Sequence, residues 1–307
     1  MGGNAHEQRP DATAGQEQRK QELHSWLKQV DQSKTQYTHQ QNRDPMTGKW
    51  LLNGKIFKEW IHGEVSFIWL NGDVGSGKTV LCSSVIEKVQ SSTTPGDSLN
   101  QGTVAYFYIC WADARTHDLG VILRSILAQV ALDDRFIHEL EALRKDNDKR
   151  VVNRDDMFIR LRSALTKIEA QANGMNGKSD TPNTAPVFLV LDALDEVPYG
   201  PLRDNILDFL AELTRLKIRC LRILLTSRKE GDISERLLAM TTCKPVTIDP
   251  HNVREDIRLF VDHQIGGHWN LKMQSEKVKL QISNGIVEMA GGMLVSSLTS
   301  RILLNLP

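Results

Sequence analysis

The segment Gly72-Asp73-Val74-Gly75-Ser76-Gly77-Lys78-Thr79 constrains this chain more than any other. It fits G-x-x-x-x-G-K-[ST] at each fixed position, a match that average residue usage gives by chance in roughly one chain of this length in a hundred. Its physical logic is specific. Glycines let backbone N–H groups wrap an anion in conformations that a side chain would forbid. Lys78 supplies a point charge for terminal phosphates, and the Thr79 hydroxyl is a ligand for Mg²⁺. The expected contact surface for a nucleotide runs from Gly72, Asp73, Val74, Gly75, Ser76, Gly77, Lys78 and Thr79 to Val80. Such a loop works only between a strand and a helix whose positive end faces the phosphates. Both are written here. Val65 to Leu70 is a β-branched and aromatic run, and Val80, Leu81, Val85, Ile86 and Val89 recur at helical spacing.

The strand-then-helix pattern continues. Thr103 to Cys110, Val187 to Leu191, Arg222 to Thr226 and Pro245 to Ile248 read as further strands. Helical spacing covers Asp118 to Arg144, Asp155 to Ala170 and Asp204 to Leu216. The strands are apolar runs without alternation, as a parallel sheet covered on both faces requires. The expected fold is α/β: a three-layer P-loop NTPase core with a five-stranded, mainly parallel sheet, plus a small C-terminal helical subdomain. Residues 1–20 are polar and read as a disordered tail. Residues 21–60 read as a helical lead-in, with a short helix near Glu22 to Val30 and then a polar, turn-rich stretch from Gln32 to Lys49. Residues 61–250 form the NTPase domain, and 251–307 a helical subdomain. Ser91 to Gln101 and Ala172 to Pro186 read as loops.

Two strand ends carry acids and a base. The apolar run Val187 to Leu191 ends at Asp192, placed to hold Mg²⁺ opposite Thr79. Ala193 leaves room beside the metal, and Asp195 and Glu196 each offer a carboxylate to orient an attacking water. The fourth strand ends in Thr226-Ser227-Arg228. Ligands of open α/β sheets sit beyond the carboxyl ends of the strands, so Arg228 is placed to read the γ-phosphate.

Lys plus Arg and Asp plus Glu number 38 each among the 307 residues. That balance gives no electrostatic footprint for a nucleic-acid or membrane partner. No apolar h-region opens the chain and no run is long enough for a membrane span, so the expected location is cytoplasmic. Cys82, Cys110, Cys220 and Cys243 lack metal-ligand spacing and read as buried apolar residues. His62, His117 and His251 have no partner acid or cysteine at ligand spacing. Trp26, Trp50 and Trp60 read as packing residues. Arg254, Glu255, Asp256 and Arg258 read as the wet face of a helix buried on Val253, Ile257 and Phe260.

Together, Gly72 to Thr79, the Asp192-Ala193-Leu194-Asp195-Glu196 strand end and Leu225-Thr226-Ser227-Arg228 resemble a NACHT domain, in particular the fungal NACHT and nephrocystin-type modules of NOD-like receptors. Thr47-Gly48-Lys49-Trp50-Leu51-Leu52 followed by Phe57-Lys58-Glu59-Trp60 resembles that group's lead-in, and so do Tyr106-Phe107-Tyr108 and Asn252 to Ile257. The resemblance spans residues 22–293. It implies a STAND-class signal-transducing NTPase that binds ATP or GTP with Mg²⁺, hydrolyses slowly and switches state, often with self-association. It also implies a preceding effector domain and following repeats. The polar tail does not read as an effector domain, and Leu294 to Pro307 does not continue the family's aromatic-rich helix. The expectation is therefore a fragment, a misassembled reading of the gene, or a switch that stands alone. A binding module without hydrolysis and a metabolic or nucleic-acid-handling P-loop enzyme are the alternatives.

Overall fold

The computed structural model describes residues 12–27, 30–41, 43–44, 47–91, 102–147, 152–175, 185–267 and 269–290. Four helices precede the sheet: α1 (Ala12–Leu27), α2 (Gln32–Gln41), α3 (Lys49–Leu52) and α4 (Lys55–His62). The core then runs β1 (Phe67–Asn71), α5 (Lys78–Ser91), β2 (Thr103–Tyr108), α6 (Leu119–Val130), α7 (Asp134–Asp146) and α8 (Arg154–Met175). It continues with β3 (Val187–Asp192), α9 (Pro201–Arg215), β4 (Leu221–Ser227), α10 (Gly231–Leu238) and β5 (Cys243–Thr247). Helices α11 (Pro250–Gly267), α12 (Trp269–Lys272) and α13 (Glu276–Ala290) follow.

The sheet has five strands in the order β2-β3-β4-β1-β5, and each described pairing is parallel. This order carries the chain from β1, inside the edge strand β5, to the opposite edge at β2 and back inward through β3 and β4. The end of β1 therefore lies beside the end of β4, with Asn71 opposite Ser227, and β3 is the next strand over. Side chains on the two faces of the sheet enter two separate cores. Phe67, Trp69, Leu189 and Leu225 pack with α1, α6 and α9 on one side. Ile68, Leu70, Val190 and Leu224 pack with α4, α5 and α11 on the other. Two covered faces explain why β1 to β4 are mostly apolar runs, while the edge strand β5 is mostly exposed.

Several expectations change. Helix α1 begins at Ala12, so the stretch read as a tail through residue 20 is helical from there; Leu23 and Leu27 anchor it in the core. The polar stretch after it forms α2, whose Gln32 and Gln36 are buried. The helical reading from Asp118 to Arg144 splits into α6 and α7, because Asp133 caps a new helix through the Arg135 N–H. Residues 172–175 belong to α8 rather than to a loop. The loop read at Ser91 to Gln101 and the rest of Ala172 to Pro186 lie almost wholly outside the described residues. Three cysteines are buried, but Cys110 is exposed just past β2.

Asp256 is not on a wet face. It is buried on α11, where its two oxygens accept the Gly48 N–H at 3.1 Å each and one also accepts the Trp50 indole N–H at 3.3 Å. Gly48 lies in the left-handed region at φ 79°, which a side chain resists. The three tryptophans pack as expected: Trp60 is fully buried and donates to the Ile223 carbonyl at 2.9 Å, while Trp26 and Trp50 lie against the cores.

Candidate functional site

The phosphate loop leaves β1 where a carbonyl–amide bond joins it to β4, Gly72 N–H to Ser227 O at 3.3 Å. Gly75 and Gly77 have φ of 73° and 85°. Both values favour glycine, which is why the motif needs it there. The Ser76 hydroxyl is buried and has no partner among the described residues. Lys78 folds back on its own loop, donating to the Gly72 and Asp73 carbonyls at 2.8 Å. Helix α5 begins at Lys78 and points its amino end into the loop.

Thr79, Asp192 and Thr226 converge from α5, β3 and β4. The Thr79 hydroxyl donates to one Asp192 oxygen at 2.7 Å, and the Thr226 hydroxyl donates to the other at 2.6 Å. Thr226 also accepts the Ala193 N–H at 2.8 Å. Asp192 is 2% exposed. Burial pushes its carboxyl up to about 6, against the pull of the two hydroxyls and of Lys78. Burial likewise lowers the Lys78 ammonium, with Asp195 and Asp192 opposing it. Ala193 turns the chain out of the strand at φ 61°, a conformation that a β-branched residue would resist.

Asp195 and Glu196, which the sequence leaves interchangeable, are separated by their partners. Asp195 is buried, and its oxygens accept the Arg228 backbone N–H at 3.0 Å and the Arg228 Nε–H at 2.6 Å. The buried Arg203 on α9, which the sequence reading did not single out, donates to the Asp195 and Val197 carbonyls and pairs with Glu230 and Asp232. Glu196 is half-buried and accepts the Trp111 N–H at 2.8 Å. Val74 to Val80, Ala193, Asp195, Glu196 and Arg228 line one cleft of about 320 Å³. A second cleft, about 380 Å³, lies between α1 and α7. Its Glu22 and Arg144 pair with each other, and it holds no comparable set of convergent groups.

The cleft suits a phosphate–magnesium group. The unpartnered Ser76 hydroxyl, the two left-handed glycines and the helix end face an anion, and Thr79 and Asp192 are hard oxygen donors. Mg²⁺ keeps water and phosphate in its shell and needs few protein ligands.

The family described as Nephrocystin 3, N-terminal, matches residues 46–228, more than half of the chain. The chain belongs to this family. It carries a NACHT-like P-loop NTPase domain. Vegetative incompatibility protein HET-E-1 of Podospora anserina is 22% identical over 222 residues, which is 70% of this chain. The chain spans only 15% of that relative's length. A solved STAND protein with a tetratricopeptide repeat sensor from Pyrococcus horikoshii is 14% identical at a TM-score of 0.38; the match covers 78% of this chain and 28% of that one. The Aeropyrum pernix ORC1 protein, solved in complex with DNA, is 13% identical at a TM-score of 0.38 over 74% of this chain and 55% of that one. Among the described residues, no helix is long and apolar enough to cross a membrane.

Proposed function

We propose that this chain is the nucleotide-binding regulatory module of a NACHT-like signalling protein, taking ATP or GTP with Mg²⁺ and hydrolysing it slowly as a switch. The observation that carries this reading is the convergence of Thr79, Asp192 and Thr226 beside a phosphate loop with an unpartnered buried hydroxyl. In this reading the loop N–H groups and Lys78 hold the β- and γ-phosphates, and Lys78 leaves the Gly72 and Asp73 carbonyls to do so. Thr79 and Asp192 would hold Mg²⁺, which neutralises phosphate charge when bound. Glu196 orients the attacking water, since both Asp195 oxygens already accept hydrogen bonds from Arg228. Arg228 lies at the rim of the cleft as the γ-phosphate sensor. The family supports a switch with self-association in the cytoplasm, and the balanced charge supports a partner other than nucleic acid.

One observation favours a second reading, binding without significant hydrolysis. Arg228 and Asp195 hold each other, and an arginine paired with an acid is less available to a phosphate. The domain division at residues 60 and 250 is part of the same proposal, with α11 to α13 as the start of the helical subdomain.

The test is titration of the purified chain with fluorescent ATP and GTP analogues. Lys78→Ala is expected to weaken binding by at least about a hundredfold, the loss of a charge-assisted phosphate contact in a partly desolvated site. Unchanged affinity in that variant rejects the site. Glu196→Gln is expected to leave binding intact and slow turnover by about a hundredfold or more. Equal turnover in the variant and the parent removes Glu196 from this role, and negligible turnover in the parent selects the second reading.

A further inference from the structure

Arg203 lies in the first turn of α9 and is 3% exposed. Both circumstances disfavour a cation. The amino end of a helix is positive, and burial strips the guanidinium of water. Its hydrogen bonds offset this. The Nε–H and the Nη2 group converge on the Val197 carbonyl at 2.8 and 2.6 Å, and Nη2 also donates to the Asp195 carbonyl at 3.1 Å. Nη1 donates to Glu230 at 2.5 Å and to Asp232 at 3.1 Å. The planar fork of an arginine carries five N–H donors, and each finds an acceptor here.

Two of those acceptors bracket one residue. Glu196 stands between Asp195 and Val197, whose carbonyls Arg203 holds, at the end of a single 3-10 turn, Leu194–Glu196. That turn closes through the Glu196 N–H to the Ala193 carbonyl at 2.9 Å and the Val197 N–H to the Leu194 carbonyl at 3.1 Å. So short a segment has no ladder to use its remaining carbonyls, and a buried carbonyl needs a donor. Arg203 is that donor on both sides of Glu196. The Glu196 side chain is held at one oxygen by the Trp111 N–H at 2.8 Å. Its other oxygen accepts no hydrogen bond among the described residues, and Glu196 lines the cleft. The acids that pair with Arg203, Glu230 and Asp232, stand at the start of α10, just past Arg228. Arg203 is thus anchored to the segment after β4 while it grips the segment after β3.

We propose that Arg203 is a positioning residue for hydrolysis, acting through Glu196: it fixes the backbone on either side so that the carboxylate stays where it orients water. This inference rests on the hydrolytic reading above and deepens it. Arg203 is not among the residues lining the cleft, so its effect falls on turnover and spares nucleotide affinity. A lysine at this position keeps the charge but has three donors on a flexible stem, and cannot span both carbonyls and both acids. Displacing a catalytic group by about 1 Å costs up to about a hundredfold in rate.

The experiment uses the full chain. It measures single-turnover hydrolysis of ATP and GTP at saturating Mg²⁺ and, separately, dissociation constants for the methylanthraniloyl-labelled nucleotides. Arg203→Lys is expected to slow hydrolysis about tenfold, with the dissociation constant within about threefold of the parent. The deciding readout is the same substitution in a Glu196→Gln background. There Arg203→Lys is expected to slow hydrolysis further by less than about twofold, because the group it positions is already gone. Asp232→Asn is the milder probe and decides if Arg203→Lys fails to fold: it removes one charge that faces Arg203, and about a threefold slowing is expected that also vanishes beside Glu196→Gln. An equal loss in both backgrounds overturns the proposal and leaves the nucleotide reading standing. Unchanged hydrolysis in Arg203→Lys overturns it too, as does a parallel fall of affinity and rate, which marks a merely structural role. Hydrolysis undiminished in Glu196→Gln alone, or negligible in the parent, instead removes the hydrolytic reading and the proposal with it.

Discussion

Asp192 and Asp256 are both buried carboxylates, and burial pushes both above the ordinary range. Their surroundings differ in one chemical respect. The donors to Asp192 are hydroxyls, from Thr79 of α5 and Thr226 of β4. A hydroxyl rotates, and its lone pairs can turn toward a cation. The donors to Asp256 are the Gly48 backbone N–H and the Trp50 indole N–H. Neither can ligate a metal, and neither can turn away. Asp192 also lies beside an open cleft, while Asp256 joins α11 to the lead-in segment. One carboxylate is placed to receive charge, and the other clasps two parts of the chain. Burial and a raised pKa alone do not separate these roles; the donor type does.

Substitutions at the two carboxylates should have opposite profiles. The largest effect is expected from Asp192→Ala, which should weaken the Mg²⁺-dependent part of nucleotide binding by at least about a hundredfold while moving the melting temperature by only about 3 °C or less. A large fall in melting temperature without loss of the Mg²⁺ effect would make Asp192 a clasp as well. Next is Asp256→Ala. It strands two buried N–H donors, so thermal denaturation should show a loss of roughly 2 kcal/mol, or about 5 °C, with the Mg²⁺ midpoint unmoved. A shifted midpoint would erase the distinction from the other side.

The smallest effect is a pH dependence. Asp256 has a folded pKa above its unfolded one, because burial outweighs its N–H donors. Its contribution to stability is therefore fully present below the unfolded pKa, about 3.9, and is lost as pH rises through the folded value. Asp256→Asn cannot ionise. In urea denaturation, the stability of this variant relative to the parent is expected to improve as pH rises from about 4 and to level off once the folded carboxyl has ionised. A difference that is flat or falls with pH would show that the folded carboxylate is not strained by burial.

Much of the site was legible because its residues are consecutive or terminate strands. Gly72 to Thr79 is a local motif whose backbone demands can be met only by glycines at fixed positions. Asp192 and Arg228 each follow an apolar run, and the carboxyl ends of parallel strands lie on one side of a sheet. Strands β1 to β4 stood out for a similar reason, since they are largely covered on both faces and mostly apolar, whereas the edge strand β5 is mostly exposed. Local pattern misled where polar residues are buried through specific partners. Gln32 and Gln36 look like solvated turn residues until β2 proves to be the sheet edge. Asp256 looks like one more charge on a wet helix face until Gly48, more than two hundred residues earlier, presents its N–H. Arg203 gave no signal at all, since nothing in its neighbourhood of sequence announces a buried guanidinium.

The phosphate loop, the strand–helix alternation and the strand ends that carry acid and base are all legible along the chain. Those depend on backbone conformation and on hydrophobic period, which are properties of neighbouring residues. The strand order that sets β4 between β1 and β3, and so brings Thr226 to Asp192, emerges from the folded arrangement. That arrangement alone separated Asp195, which is held by Arg228, from Glu196, and it alone paired the buried Asp256 with Gly48. Those outcomes depend on which donors meet which acceptors across long stretches of chain, and a buried polar group is satisfied by proximity in space, whatever its place in the sequence.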